Sequence, residues 1–343
     1  MARLLKKTYK ILLLDKRLFN HNDRQIVKCC GGLLAPDAQK VIAQLGLGVP
    51  KETLVGPQLF TVRTLDFDNQ IERYYQRHYI NVDREKFDQW LVDLIPQNVT
   101  KEFGTVFKNY EKKSDGSIDV TYSKGGSQYK VNTKYLVGAD GGASLTRKRL
   151  IDNDQIEKYA SIQEWYRIKP AMPYFTTIFD SEITDFYSWT IPKEECVIVG
   201  SAIPFRDKVN EKFQLLKEKL MNKGFKLGEL EHREGAYILR PTSVKNLALG
   251  EKNIFLLGES AGFISPSSAE GFSYAMRSAI ALSDALNNCS SNVIKTYHHN
   301  CKKLRVNIML KNMKSPFMYH TLLRKTVMKT GVLSMNLHTE KDT

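Results

Sequence analysis

No run of about 18 consecutive apolar residues occurs in the 343-residue chain, so no spanning helix is expected. The apolar stretch nearest the N-terminus, residues 11–14, is too short for the hydrophobic segment of a secretory leader. Cysteine is scarce and odd in number, five residues with no Cys-x-x-Cys pair. Neither a disulfide framework nor a metal clip is indicated, and a reducing cytoplasm is the expected home. Also missing is any Gly-x-Gly-x-x-Gly, the phosphate loop of a dinucleotide-binding fold. Aspartate and glutamate are absent from residue 285 to residue 339, while Lys295, Lys302, Lys303, Arg305, Lys311, Lys314, Arg324, Lys325 and Lys329 concentrate there part of the net charge of +14. No nucleic-acid-binding module accompanies that charge, so nucleic acid is not an expected partner. Apolar residues interleave with the basic ones. The tail, 291–343, therefore reads as basic, partly amphipathic helices, either a solvated face or one that rests on an anionic membrane surface or near phosphorylated ligands.

What is present points to a globular chain of two domains: 42% hydrophobic residues and 10% aromatics suffice for a large core. Residues 9–15 read as a buried parallel strand ending in Asp15, preceded at 2–7 by the last turns of a helix. Residues 59–66 and 71–82 read as strands, and 83–94 as a helix with Asp83 at its N-cap. A meander follows at 105–112, 118–124 and 128–133, turned by Asp115-Gly116 and Gly125-Gly126. Residues 160–239 alternate aromatic and β-branched residues with turns and suit a second sheet, and 253–258 is a further buried strand.

Gly258-Glu-Ser-Ala-Gly262, after an apolar strand, matches the Gly-x-Ser-x-Gly elbow of an esterase. Asp284 and His298 or His299 supply an acid and a base in the right order. Yet no oxyanion loop precedes them, and Phe263-Ile-Ser-Pro266 interrupts the helix that must follow a nucleophile. The esterase reading is rejected, and Ser260 is expected to be a small residue that permits close backbone approach.

Val137-Gly-Ala-Asp-Gly-Gly-Ala-Ser-Leu-Thr-Arg147, followed by Ile254-Phe-Leu-Leu-Gly-Glu-Ser-Ala-Gly262 and its continuation to Ala279, resembles the paired later fingerprints of FAD-dependent oxidoreductases of the hydroxylase and geranylgeranyl reductase superfamily. Residues 28–39 resemble the cysteine-glycine segment of the geranylgeranyl reductase branch, and Tyr187-Ser-Trp-Thr-Ile-Pro-Lys193 its substrate motif. The resemblance implies an α/β fold in which a Rossmann-like, glutathione-reductase-type FAD domain (1–55, 83–158 and 241–290) is interleaved with a substrate-binding sheet (56–82 and 159–240). It implies FAD bound by Asp15, Arg84, Asp140, Gly141, Gly258, Glu259, Gly262, Gly271 and Phe272. Glu259 stands where the family usually has aspartate. The helix expected to open at 267–274 would turn free amides and a positive dipole end toward the flavin. Arg84 reads equally well as a surface cation of its helix, and Cys30 as a small packed residue in a glycine turn.

By the same resemblance the reaction is hydride delivery from reduced flavin to a carbon-carbon double bond of a prenyl-type or other apolar lipid, with Cys30 beside the ring and Tyr187 and Trp189 lining the substrate slot. The alternatives are an FAD-dependent aromatic monooxygenase and a non-catalytic flavin-fold protein. The electron donor is not indicated. Aligned on Asp15, the family's first strand and glycine loop would fall before Met1, which is then expected to be an internal methionine of the crossover helix.

Overall fold

Parallel pairing of short apolar strands, where both faces must be covered, and antiparallel pairing of longer alternating ones divide the architecture. The structure, a computed structural model, describes residues 1–19, 29–168, 173–288 and 292–338. Lys28 of the cysteine-glycine segment, and residues 291 and 339–343 of the tail, lie outside the described residues. The chain forms two units, one of Met1–Val27, Phe87–Ile156 and Leu239–Leu310, the other of Lys28–Lys86, Glu157–Ile238 and Lys311–Thr343. Residues 28–55 thus pack with the second unit, and the tail is shared between the two.

In the first unit, Ile11–Asp15 pairs in parallel with Val99–Phe103, Ile11 facing Val99 and Asp15 facing Phe103. Ile254–Leu256 pairs in parallel with Leu136–Gly138 and antiparallel with Gly250–Glu251. The meander forms at Thr105–Lys112, Ile118–Lys124 and Ser127–Thr133. Its first turn is fixed by Asp115, whose carboxylate accepts from the Ser117 N–H at 2.9 Å. Phe255, Phe263, Tyr274, Leu282, Tyr297 and Ile308 are buried together in the core. Tyr297 carries a polar end into that core and satisfies it by donating to the Leu256 carbonyl at 2.8 Å.

The second unit is built on one sheet in the order Glu229–Arg240, Glu157–Arg167, Cys196–Pro204, Ser188–Lys193, Tyr174–Phe179, Leu59–Asp66, Ile71–Asn81 and Ser334–Met335. Leu59–Asp66 and Tyr174–Phe179 run parallel, whereas Ser188–Lys193 is antiparallel to both its neighbours. Asp83 caps Arg84–Asp93 as expected, accepting from the Glu85 and Lys86 N–H groups at 2.9 and 3.0 Å.

Three local expectations change. Residues 2–7 hold only a single 3₁₀ turn, Ala2–Leu4. The helix expected to open at 267 begins at Phe272, because a turn at 266–268 and an irregular stretch at 269–271, closed by the Ser265 N–H donating to the Glu270 carbonyl at 2.9 Å, precede it. Within 160–239 lies a helix, Val209–Asn222, that alternation did not reveal. Phe213, Leu216 and Leu220 recur along it at helical spacing and are buried.

Candidate functional site

The two glycine-rich fingerprints of the first unit are joined by side chains, and Ser260 and Arg147 make the joints. Gly258–Ala261 forms a 3₁₀ turn that enters with Gly258 at φ 55° and leaves with Gly262 at φ 81°, both in the left-handed region that favours glycine. A Cβ at Gly262 would lie 2.9 Å from the Asn246 carbonyl oxygen. Ser260, fully buried, donates to the Gly138 carbonyl (2.7 Å) or that of Leu257 (2.6 Å) and accepts from the Leu257 N–H (3.2 Å). A hydroxyl enclosed in this way is a clamp between strands, not a nucleophile, which supports rejection of the esterase reading. Arg147, also buried, grips Asp154 through Nε (2.7 Å) and Nη2 (2.8 Å) and donates to the carbonyls of Ser260 (3.1 Å) and Asn246 (2.8 Å). It was legible only as the last letter of the first fingerprint, yet it binds that fingerprint to the second.

The carboxylates expected to meet a cofactor are engaged with the chain itself. Asp140 accepts from Ser144 Oγ (2.5 Å), Thr146 N (3.1 Å) and Thr146 Oγ1 (3.1 Å), fixing the start of the helix Leu145–Leu150. Glu259 Oε1 accepts from the Leu239 N–H at 2.9 Å. Asp15 accepts from Arg17 N (2.9 Å), Nε (3.1 Å) and Nη2 (2.9 Å), and Arg17 also pairs with Asp88. The start of Phe272–Asn288 is covered by Glu270, which accepts from Ser273 N (2.7 Å) and Ser273 Oγ (2.6 Å). That carboxylate, which the sequence reading passed over, takes the place at the helix end where an electropositive face was expected. Phe272 meets Phe87 edge-on at 5.5 Å between centroids. Arg84 is half-buried at the start of its helix.

The backbone nevertheless leaves room. A Cβ at Gly141, φ 74°, would meet nothing within 4 Å, and one at Gly271 would meet only Ile264 Cγ1 at 4.0 Å. These are partly exposed peptide surfaces against which a flat ligand can lie; their carbonyls accept from the Ser144 and Ala275 N–H groups at 3.1 and 2.9 Å, so what a nucleotide cofactor would meet there is backbone with no side chain in the way. By this test the residues fit FAD.

In the second unit the structure brings Cys30, Tyr187 and Trp189 together. Tyr187 and Trp189 project from one face of adjoining strand positions, their ring centroids 5.4 Å apart, and both are buried. Trp189 lies flat against Gly200, where a Cβ would come within 2.3 Å of its Nε1. Gln163 joins the cluster: its Nε2 donates to Cys29 Sγ at 3.0 Å and its Oε1 accepts from Trp189 Nε1 at 3.5 Å. Burial, with the Glu234 carboxylate second, pushes the Cys29 thiol up to about 12. Burial likewise raises the acid range of Glu234, whose Oε1 accepts from Trp165 Nε1 at 3.1 Å and whose Oε2 is buried without a hydrogen-bond partner. Lys193 donates to the Val82 carbonyl at 2.7 Å, and burial pulls its ammonium down to about 8. Cys30 lies within electrostatic reach of both Tyr187 and Lys193, and its Sγ accepts from the Gly32 N–H at 3.5 Å. Sequence reading missed Cys29, Gln163 and Glu234. Lys193 alone carried a signal, since 187, 189, 191 and 193 share one strand face.

Residues 66–251 match the FAD binding domain family. Protein CbrA of Escherichia coli O157:H7 is 38% identical over 332 residues, spanning 97% of this chain and 93% of that protein. In fold the chain is similar to a geranylgeranyl bacteriochlorophyll reductase-like protein of Thermoplasma acidophilum, with a TM-score of 0.79 and 15% identity over 99% of this chain and 89% of that one. It is also similar to PqsL, described as a probable FAD-dependent monooxygenase of Pseudomonas aeruginosa, with a TM-score of 0.68 and 16% identity over 96% of this chain and 94% of that one.

Proposed function

This chain belongs to the FAD binding domain family, and we propose on that premise that it reduces a carbon-carbon double bond in a prenyl-type or other apolar lipid. FAD is its cofactor, and when bound it supplies the hydride. The chain's own residues bind, orient and protonate. In the first unit, the open backbone at Gly141 and Gly271 offers peptide groups to the cofactor, while Ser260 and Arg147 keep the two fingerprints at a fixed spacing. Asp15, Glu259 and Phe272 of the same unit are proposed to border it.

In the second unit, Tyr187 and Trp189, both buried, are proposed to line the apolar substrate slot, and Gly200 lets the indole pack flat against the neighbouring strand. Gln163 holds the indole N–H and the Cys29 thiol in one orientation. Cys30 is the residue proposed to stand nearest the reacting carbon, with Glu234, whose acid range burial raises, beside Cys29 in the same cluster. The observation that carries the reading is this combination of a desolvated aromatic face and groups whose neutral, protonated forms burial favours. Such surroundings would suit an apolar substrate.

The test is single-turnover. Holoprotein reduced with dithionite under nitrogen is mixed with a polyprenyl lipid; flavin absorbance returns and the lipid gains two hydrogens per double bond reduced. Trp189→Ala slows that reoxidation by about tenfold or more, in line with loss of a buried aromatic contact. If reoxidation instead requires oxygen and an aromatic substrate gains an oxygen atom, the protein is a monooxygenase. If the purified protein shows no flavin bands and binds no FAD, neither reading stands.

A further inference from the structure

The C-terminal part of the second unit has one face fastened to the sheet and another that is apolar, basic and uncovered. The helix Thr321–Thr330 is held by Arg324, which grips Asp66 through Nε (2.8 Å) and Nη2 (3.0 Å) and reaches Asp68 at 2.6 Å. Met328 is buried beside it, its carbonyl accepts from Arg73 Nε at 3.0 Å, and Ser334–Met335 then pairs with Ile71–Asn81. So anchored, the segment is not a loose tail. Away from these anchors, Phe317, Leu322, Leu323, Val327, Val332 and Leu333 are each more than a third exposed. Leu333, 88% exposed, sits at the tip of the turn after the helix with φ 62°. A branched apolar residue in the left-handed region costs about 1 kcal/mol, and water returns nothing for showing it.

Within the segment the charge has one sign: the sequence has no acidic residue from 285 to 339, Lys314 and Lys329 are exposed and Lys325 half-buried, and the carboxylates of Asp66 and Asp68 are already committed to Arg324. Long lysine stems lie along apolar surface and carry their charge to its rim, which suits a layered partner with hydrocarbon below and anionic headgroups at the level of the ammoniums.

We propose that the face formed by Phe317, Leu322, Val327, Val332 and Leu333, rimmed by Lys325 and Lys329, docks on an anionic lipid bilayer, with the Val332-Leu333 turn entering the headgroup region. This does not depend on the reaction proposed above.

The experiment is co-sedimentation of the full-length holoprotein with vesicles of phosphatidylcholine alone and of phosphatidylcholine with 30% phosphatidylglycerol, at low and high salt. Expected are binding to the anionic vesicles that weakens with salt, a loss of about tenfold or more in Leu322→Glu with Leu333→Glu, and a loss of roughly thirtyfold in Lys325→Ala with Lys329→Ala. Leu322, Lys329 and Leu333 are exposed and Lys325 is half-buried, and flavin absorbance and melting temperature check that the variants are folded. Leu333→Trp supplies a gain of signal: the emission of the introduced indole shifts to the blue on anionic vesicles and is quenched by brominated lipid. Failure to bind anionic vesicles at low salt, or binding unchanged by the Leu322 and Leu333 substitutions, overturns the proposal. So does self-association, seen by sedimentation, that shifts the introduced indole's emission to the blue without lipid. Vesicle binding by a protein that holds no flavin would keep this proposal and remove the enzymatic one.

Discussion

Around Ser260 the buried polar groups are tied into the chain: the hydroxyl bridges two strands, and the Arg147 guanidinium is held by a carboxylate and two carbonyls. Around Gln163 the situation is reversed, with Glu234 Oε2 lacking a partner, a thiol that burial keeps protonated, and a lysine whose ammonium burial disfavours. The contrast separates two ways of making a site. The first unit spends its polar side chains on fixing backbone shape, and what it leaves open is bare peptide at Gly141 and Gly271. The second unit leaves side chains energetically unsettled, which is where protonation states can be changed by a ligand.

Four changes sharpen or break that contrast. Arg147→Met removes the central ligand of the satisfied cluster and leaves the Asp154 carboxylate without its cation, so urea unfolding should show a loss of about 3–5 kcal/mol. A loss under about 1 kcal/mol, the scale of a surface ion pair, would mean the cluster is not what holds the fingerprints. In the other cluster, a rise of the Cys29 thiol from 9.0 to about 12 predicts alkylation about a thousandfold slower than an ordinary thiol at pH 8, read by mass spectrometry of the labelled peptide. Trp189→Ala, by opening that site to water, should accelerate it.

Lys193 gives a pH signature. Unfolded, a lysine keeps its proton up to about 10.5; folded, this one releases it near 8, so between those values the unfolded chain binds more protons and stability rises with pH, by up to roughly 3 kcal/mol. Cys29 acts oppositely from 9.0 to about 12, where the folded state holds the extra proton, so the rise should be clearest between pH 8 and 9 and then flatten. Lys193→Met should abolish the rise. The smallest effect is expected from Gly262→Ala, about 1–3 kcal/mol from the φ of 81° and the 2.9 Å approach to the Asn246 carbonyl, with a parallel fall in FAD retained through gel filtration. Retention of flavin despite that destabilisation would show that the turn shapes the core and not the cofactor surface.

Much of this was legible because periodicity survives in single segments. Ile11–Asp15, Leu59–Asp66, the meander and the helix after Asp83 lie where apolar runs, alternation and turn residues put them. The helix Val209–Asn222 was missed although Phe213, Leu216 and Leu220 announce it, because the aromatic alternation on either side set the expectation for the whole region. The site was legible as glycines and not as partners. A motif shows that Asp140 and Glu259 are present, but whether a carboxylate faces a ligand or the first amide of its own helix depends on rotamers and neighbours distant in sequence, such as Leu239 for Glu259. Gln163 lay outside every motif, and only the strand pairing of Glu157–Arg167 beside Cys196–Pro204 brings it to Trp189.

The interleaving of the two units has a consequence for how the polypeptide reaches this state. Lys6 N–H donates to Asn287 Oδ1 across 281 residues, and Tyr9 hydroxyl to the Leu286 carbonyl across 277. Closing contacts of such sequence separation requires nearly the whole chain to be released from the ribosome before the first unit can finish. The strand Ile11–Asp15 can meet its partner Val99–Phe103 early, but the Ile254–Leu256 strand and the helix end at Leu286 and Asn287 join only late, which makes the first unit a poor candidate for rapid refolding from denaturant.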